Sequence, residues 1–140
     1  MIVVVEDSDE DFEATARALQ KAGSPRPLVR CRNSREALDC LHARGRFAHA
    51  RPADLVLLDL NLPGTDGRAV LKAIKADPAT AAVPVVVLTT STSPDDVAAC
   101  YRDGASSYVV KSVDYRQFVA TVATLVAYWF GAVRLPPGRT

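Results

Sequence analysis

Five short apolar runs punctuate this chain: Ile2–Val5, Leu28–Cys31, Leu55–Leu58, residues 85–88 and residues 108–110. Each has strand length, and most are β-branched with no alternating polar position. That pattern suits strands buried on both faces. Segments of helical length separate them. Five strands alternating with five helices predict one parallel sheet, helices on both of its faces, and right-handed crossovers.

The expected helix starts carry capping chemistry. Ser8 stands three residues before Asp11, Asn33 three before Glu36 and Asp114 three before Gln117. Ser93-Pro94-Asp95-Asp96 orders a cap, a first-turn proline and two acids. Such sequences satisfy free N–H groups and favour the positive end of the helix dipole. The 140 residues suit one domain, read as residues 1–131 with an irregular tail over 132–140.

Composition removes several function classes. Seventeen basic and sixteen acidic residues leave a net charge of +1, against a strongly basic nucleic-acid binder or an acidic disordered tail. Three cysteines, Cys31, Cys40 and Cys100, form no C-x-x-C pair, which disfavours a disulfide framework and fits a reducing, cytoplasmic compartment. The N-terminus lacks a basic region and reaches acid at Glu6, unlike a signal peptide. The uncharged stretch 117–133 sits at the lower limit for a membrane span and contains Gln117, Thr121, Thr124, Tyr128 and Gly131, so it reads as a buried helix.

Four strands end in polar residues: Glu6-Asp7, Asp59, Thr89-Thr90 and Lys111. Open α/β sheets bind ligands beyond the carboxyl ends of their strands. With the flavodoxin-like, doubly wound order 2-1-3-4-5, strands 1, 3, 4 and 5 are neighbours, and these residues converge. Two carboxylates about 4 Å apart repel by about 4 kcal/mol at an effective dielectric of 20. Such a pocket needs a proton or a cation. Hard oxygen donors without Cys or His at the strand ends favour Mg2+. Strand-end acids also cap helices, and that reading suits Asp7 or Asp9 alone. Asn61, Pro63 and Gly64 place a turn after Asp59 instead.

The segments Val4-Val5-Glu6-Asp7-Ser8, Leu57 to Gly67, Val87-Leu88-Thr89-Thr90 and Tyr108-Val109-Val110-Lys111 resemble the receiver domain of two-component response regulators. The resemblance covers nearly the whole chain. It implies that Asp59 takes a phosphoryl group from a histidine kinase, and that Asp7, Asp59 and the backbone carbonyl of Asn61 hold Mg2+, with Glu6 acting through water. It further implies that Thr89 and Lys111 contact the phosphoryl oxygens, that Thr90 shapes access, and that Tyr108 turns inward as an aromatic switch. Ser112 stands where receivers commonly have proline. Leu88-Thr89-Thr90-Ser91, Lys111-Ser112 and Tyr128-Trp129-Phe130 resemble single-domain regulators paired with bacterial phytochromes, which implies a light-sensing kinase as partner.

The last helix is expected to turn Phe118, Val122, Leu125 and Trp129 toward the sheet. Val119, Val126 and Phe130, with Tyr115 nearby, form a second apolar stripe. The expectation is a homodimer built on Tyr115, Val119, Val122, Val126 and Phe130, with help from the fourth helix and fifth strand; a folded-over tail is the alternative. His42 and His49 lack a third ligand, and Arg26, Arg30, Arg32 and Arg35 read as surface charge offset by first-helix acids. Competing functions are an FMN module, disfavoured by the acids after the first strand, and an aspartate-based phosphohydrolase, disfavoured by Asn61 where a second Asp is needed. A scaffold that signals without phosphorylation is the third. Output through DNA is disfavoured, leaving protein contact or phosphate relay. No enzymatic turnover of an external substrate is expected.

Overall fold

The computed structural model describes residues 1–137. Its main sheet has five parallel strands: β1 (Ile2–Val5), β2 (Leu28–Cys31), β3 (Leu55–Leu58), β6 (Val85–Thr89) and β7 (Ser107–Val110). Their order is β2-β1-β3-β6-β7, the expected 2-1-3-4-5 once a small hairpin is set aside. That hairpin, β4 (Asn61–Leu62) and β5 (Thr65–Asp66), was not anticipated as strand. The turn was: Pro63-Gly64 joins the two strands, and Gly64 takes φ 68°, a region that favours glycine.

The helices are α1 (Asp9–Lys21), α2 (Ser34–Leu41), α3 (Gly67–Ala76), α4 (Pro94–Arg102) and α5 (Tyr115–Ala127). Three expected caps form as read: the side chains of Ser8, Asn33 and Ser93 accept from the backbone N–H of Asp11, Glu36 and Asp96. Asp114 caps α5 through Arg116 rather than Gln117. Asp66 caps α3 through Arg68, a helix start absent from the caps read in the sequence.

Strand alternation divides the core in two. Val3, Val5, Val56, Leu58, Val85 and Val87 face α2, α3 and α4, where Ala37, Val70, Leu71, Ile74 and Cys100 are buried. Ile2, Val4, Leu55, Leu57, Val86 and Leu88 face α1 and α5, meeting Ala18, Leu19, Phe118, Val122 and Val126. Each fully buried Val or Leu contributes roughly 1.5–3 kcal/mol relative to exposure. The three central strands are buried along their length, while β2 and β7 are half-exposed edges. All three cysteines are buried and free. No helix of the described residues is long and apolar enough to cross a membrane. After α5 the chain makes a π-helical turn, Tyr128–Ala132, which takes in the first residue of the expected tail; residues 133–137 form no regular element, and residues 138–140 of that expectation lie outside the described residues.

Gly67 fixes the join between β3 and α3. Its N–H donates to the Leu60 carbonyl at 2.9 Å. A Cβ there would lie 2.4 Å from the Asp59 carbonyl oxygen and 2.6 Å from Leu60 Cα. Both obstacles are backbone, so neither can swing aside. Gly67→Ala should therefore cost about 3 kcal/mol, at the upper end of overpacking penalties, and urea unfolding beside Arg68→Ala as a neighbouring control measures it.

Candidate functional site

Register brings the polar strand ends together. Val5 pairs with Leu58, and Leu58 with Val87, so Glu6 and Asp59 emerge side by side. Thr89 pairs with Val110, which places Lys111 one residue beyond the edge strand. The Lys111 backbone N–H donates to the Thr89 carbonyl at 2.7 Å.

The Lys111 ammonium donates to Glu6 Oε1 at 2.6 Å, Asp11 Oδ2 at 3.1 Å and Asp59 Oδ2 at 3.2 Å. Glu6 and Asp59 are buried at 3% and 6% exposure, whereas Asp7 is exposed. Burial first, then the nearby Asp59 carboxylate, pushes the Glu6 carboxyl up to about 7 despite Lys111. Burial disfavours the Lys111 ammonium, but the Glu6 hydrogen bond and the charges of Asp59 and Glu6 outweigh it and raise its pKa. Asp59 Oδ1 accepts from the Asn61 N–H at 3.0 Å, so the turn behind the aspartate aims its carboxylate.

Ligand oxygens of Glu6, Asp7 and Asp59 all lie within 4.8 Å of one another. The donors are hard carboxylate oxygens, two buried and one open to water. This set fits Mg2+ or Mn2+, which keep several waters when protein-bound. Asn61 is exposed beside Asp59.

The flank beyond β6 is a second network. Thr89 is fully buried, and its Oγ1 accepts from the Ser91 N–H at 3.4 Å. Ser91 Oγ donates to Asp96 Oδ2 at 2.6 Å, and the Tyr108 hydroxyl donates to the Ser91 carbonyl at 3.0 Å. Tyr108 is half-buried against the α2–α4 side of the core. Thr90 is exposed and lines a cleft of about 350 Å3 with Asp11, Lys111, Ser112 and Phe118. No peptide bond among the described residues is cis, the Lys111–Ser112 bond included.

Two expected interface residues are corrected here. Val122 is fully buried and Val126 is 9% exposed, and both face the sheet and α1. Tyr115, Val119 and Phe130 are half-buried against the same cluster. Lys21 Nζ sits 5.0 Å from the Tyr115 ring and the Arg26 guanidinium 5.6 Å from the Phe130 ring. The second apolar stripe of α5 exists because α1 packs on it. Charged surface was the right reading of the arginines in part: Arg30 and Arg32 both pair with Asp9 of α1. His42 pairs with Asp77 at 3.3 Å, away from the carboxylate cluster.

Sequence reasoning missed Gly67, Ser91 and Asp96. An Asp at position 66 is a capping residue type that went unused in the sequence reading, and only the fold shows the backbone that a Cβ at Gly67 would strike. Asp11 was read as a capping partner; its side chain also reaches Lys111.

A five-stranded parallel sheet in this order, with two buried acids and a lysine at its carboxyl edge, is the flavodoxin-like receiver architecture. The response regulator receiver domain profile matches residues 2–123, and the chain belongs to that family. Response regulator Rcp1 of Synechocystis sp. is 36% identical over 136 residues, covering 97% of this chain and 92% of Rcp1. The crystal structure of its Mn(2+)-bound form superposes with a TM-score of 0.89, covering 97% of this chain and 98% of that one. The phosphorylated cyanobacterial phytochrome response regulator RcpA is 38% identical with a TM-score of 0.91, over 97% of both chains. The probable methanogenesis regulatory protein FilR2 of Methanothrix harundinacea is 37% identical over 97% of this chain and 87% of FilR2.

Glu6 makes one pH effect legible. Its folded pKa of about 7 lies above the ordinary 4.5. The folded state therefore binds this proton more tightly than the unfolded chain. The Glu6 contribution to stability is full below about 4.5 and is lost as pH rises toward 7. Urea titrations of the metal-free protein across that window should show a downward slope that Glu6→Gln flattens.

Proposed function

We propose that this protein is a response regulator that accepts a phosphoryl group on Asp59 from the phosphohistidine of a sensor kinase. The observation that carries this reading is the cluster itself: Asp59 with Glu6 and Asp7 within 4.8 Å, and Lys111 at 3.2 Å from its Oδ2.

An Asp59 carboxylate oxygen attacks phosphorus as the kinase N–P bond breaks, and the imidazole leaves. Such transfer depends on in-line positioning and on neutralising charge at the phosphoryl oxygens. The Asn61 N–H fixes Asp59 Oδ1 and leaves Oδ2 as the attacking atom. Lys111 already touches Oδ2, and its pairing passes from Glu6 and Asp59 to the new phosphoryl oxygen. Asp7, Asp59 and the Asn61 carbonyl would hold Mg2+, with Glu6 acting through water, and the ion would supply the remaining charge neutralisation. The acyl phosphate carries roughly two negative charges where the carboxylate carried one, and places them on the phosphoryl oxygens. Thr89 then turns its hydroxyl toward the phosphoryl group and gives up the Ser91 N–H. Ser91 is also where the Tyr108 hydroxyl is bonded, so the tyrosine reports the change on the α4 side. Thr90, exposed at the cleft mouth, shapes approach to Asp59.

The kinase is a bacteriophytochrome in this reading, because RcpA is described as a phytochrome response regulator and is similar across its whole length. A kinase-coupled regulator of this kind works in the cytoplasm, signalling by protein contact or phosphate relay over a receiver unit spanning residues 1–131. A receiver-like scaffold that never takes phosphate gains no support from the intact acid, threonine and lysine set. A phosphohydrolase would need an acid–base group where Asn61 stands.

Intact mass after incubation with acetyl phosphate should show a Mg2+-dependent gain of one phosphoryl group, absent in Asp59→Asn. No gain with acetyl phosphate and none from a histidine kinase would turn the reading toward the scaffold.

Self-association is a separate proposal. Its support is the apolar surface that remains after α1 has covered α5: Tyr101, Val110 and Tyr128 are 49%, 42% and 50% exposed. Tyr101 and Val110 belong to α4 and the edge strand β7, and Tyr128 follows α5. Tyr115, Val119 and Phe130 can add only their uncovered edges. Light scattering at tens of micromolar should give a dimer mass, and monomer alone would refute it.

A further inference from the structure

Arg30 lies on β2 between Val29 and Cys31, yet its side chain is only 15% exposed. The reason is a set of contacts that all concern the acidic loop after β1. Its Nε donates to the Glu6 carbonyl at 3.1 Å and its Nη2 to the Asp7 carbonyl at 3.1 Å. Its Nη1 donates to Asp9 Oδ1 at 2.7 Å. The guanidinium sits 4.9 Å from the centre of the Phe12 ring on α1. One planar group thus ties two successive loop carbonyls, the first helix residue and an aromatic platform.

Three further bonds hold the loop: the Glu6 N–H donates to the Cys31 carbonyl, the Ser8 N–H donates to Glu6 Oε2 at 3.3 Å across Asp7, and the Ser8 side chain caps α1. Between these points the main chain turns through Asp7, whose carboxylate is exposed and has no ion pair among the described residues. We propose that Arg30 is a positioning residue for divalent-cation binding, holding the Glu6–Asp7 main chain so that the Asp7 carboxylate faces Asp59. The proposal rests on the Mg2+ reading above.

The geometry needs arginine. A guanidinium presents several donors in one rigid plane, while an ammonium is a single point. A lysine at position 30 keeps the charge but cannot span both carbonyls and Asp9. Groups that orient metal ligands from behind typically change metal affinity by about 10–100-fold when removed.

Charge alone predicts the opposite sign. A cation beside a metal site repels the metal, and removing it also takes from the Asp9 carboxylate one of its two arginine partners. Both effects tighten Mg2+ binding. Weakening is therefore specific to lost positioning.

The test is calorimetric titration of Mg2+ into the unphosphorylated protein at one pH and ionic strength. Circular dichroism first checks that each variant is folded. Arg30→Ala and Arg30→Lys should each bind Mg2+ about 10-fold more weakly than the wild type. Arg32→Ala, which loses a charge near Asp9 but leaves the clamp intact, should bind equally or more tightly. If Arg30→Ala does not fold, Arg30→Lys decides. Unchanged or tighter binding by Arg30→Lys overturns the positioning role while leaving the metal reading in place. A wild-type protein that shows no Mg2+ isotherm overturns the metal reading, and the proposal with it.

Discussion

The contact of the Lys111 ammonium with Glu6 and Asp59 holds the functional edge of this protein together. Two buried carboxylates side by side repel each other, and burial alone favours their neutral forms. Lys111 offsets that in part at Glu6, whose carboxyl still sits well above the ordinary range. The lysine comes from the end of an edge strand, so its reach depends on the parallel register of β1, β3, β6 and β7. A slip of one residue in any of these pairings would turn the side chains to the opposite face and dissolve the cluster.

The sheet needed little more than the five apolar runs to be read. Three strands match their expected limits, and the other two differ by one residue. Caps at Ser8, Asn33 and Ser93 were legible because a side-chain acceptor and its N–H lie three residues apart. The site was legible for a related reason: strand ends in a parallel sheet are neighbours, so sequence order sufficed to gather Glu6, Asp7, Asp59, Thr89 and Lys111. What failed depended on contacts between distant elements. Helical spacing separated two apolar stripes on α5 but held no information about α1 lying against the second. Arg30 looked like surface charge because its partners are main-chain carbonyls, which every residue possesses. Gly67 was invisible for the same reason.

The two halves of the core divide labour. The acidic loop runs directly into α1, on the same side of the sheet as α5. Tyr108, Ser91 and Asp96 belong to the side of α2, α3 and α4. Thr89 stands at the end of the strand between them and is the buried group bonded into the Ser91 turn. In the proposed mechanism, charge gathered on the first side reaches the second through one hydroxyl and one turn, with the packed valines and leucines left in place.

The edge of β7 carries a further consequence. The Tyr108 main-chain N–H donates to the Tyr101 hydroxyl at 3.1 Å, not to a neighbouring strand. An edge strand with free donors invites another chain to extend the sheet. Here a tyrosine from α4 occupies one of those donors. Any partner that would add itself as a sixth strand must first evict Tyr101, so the border of the sheet is guarded by the same helix that flanks the switch.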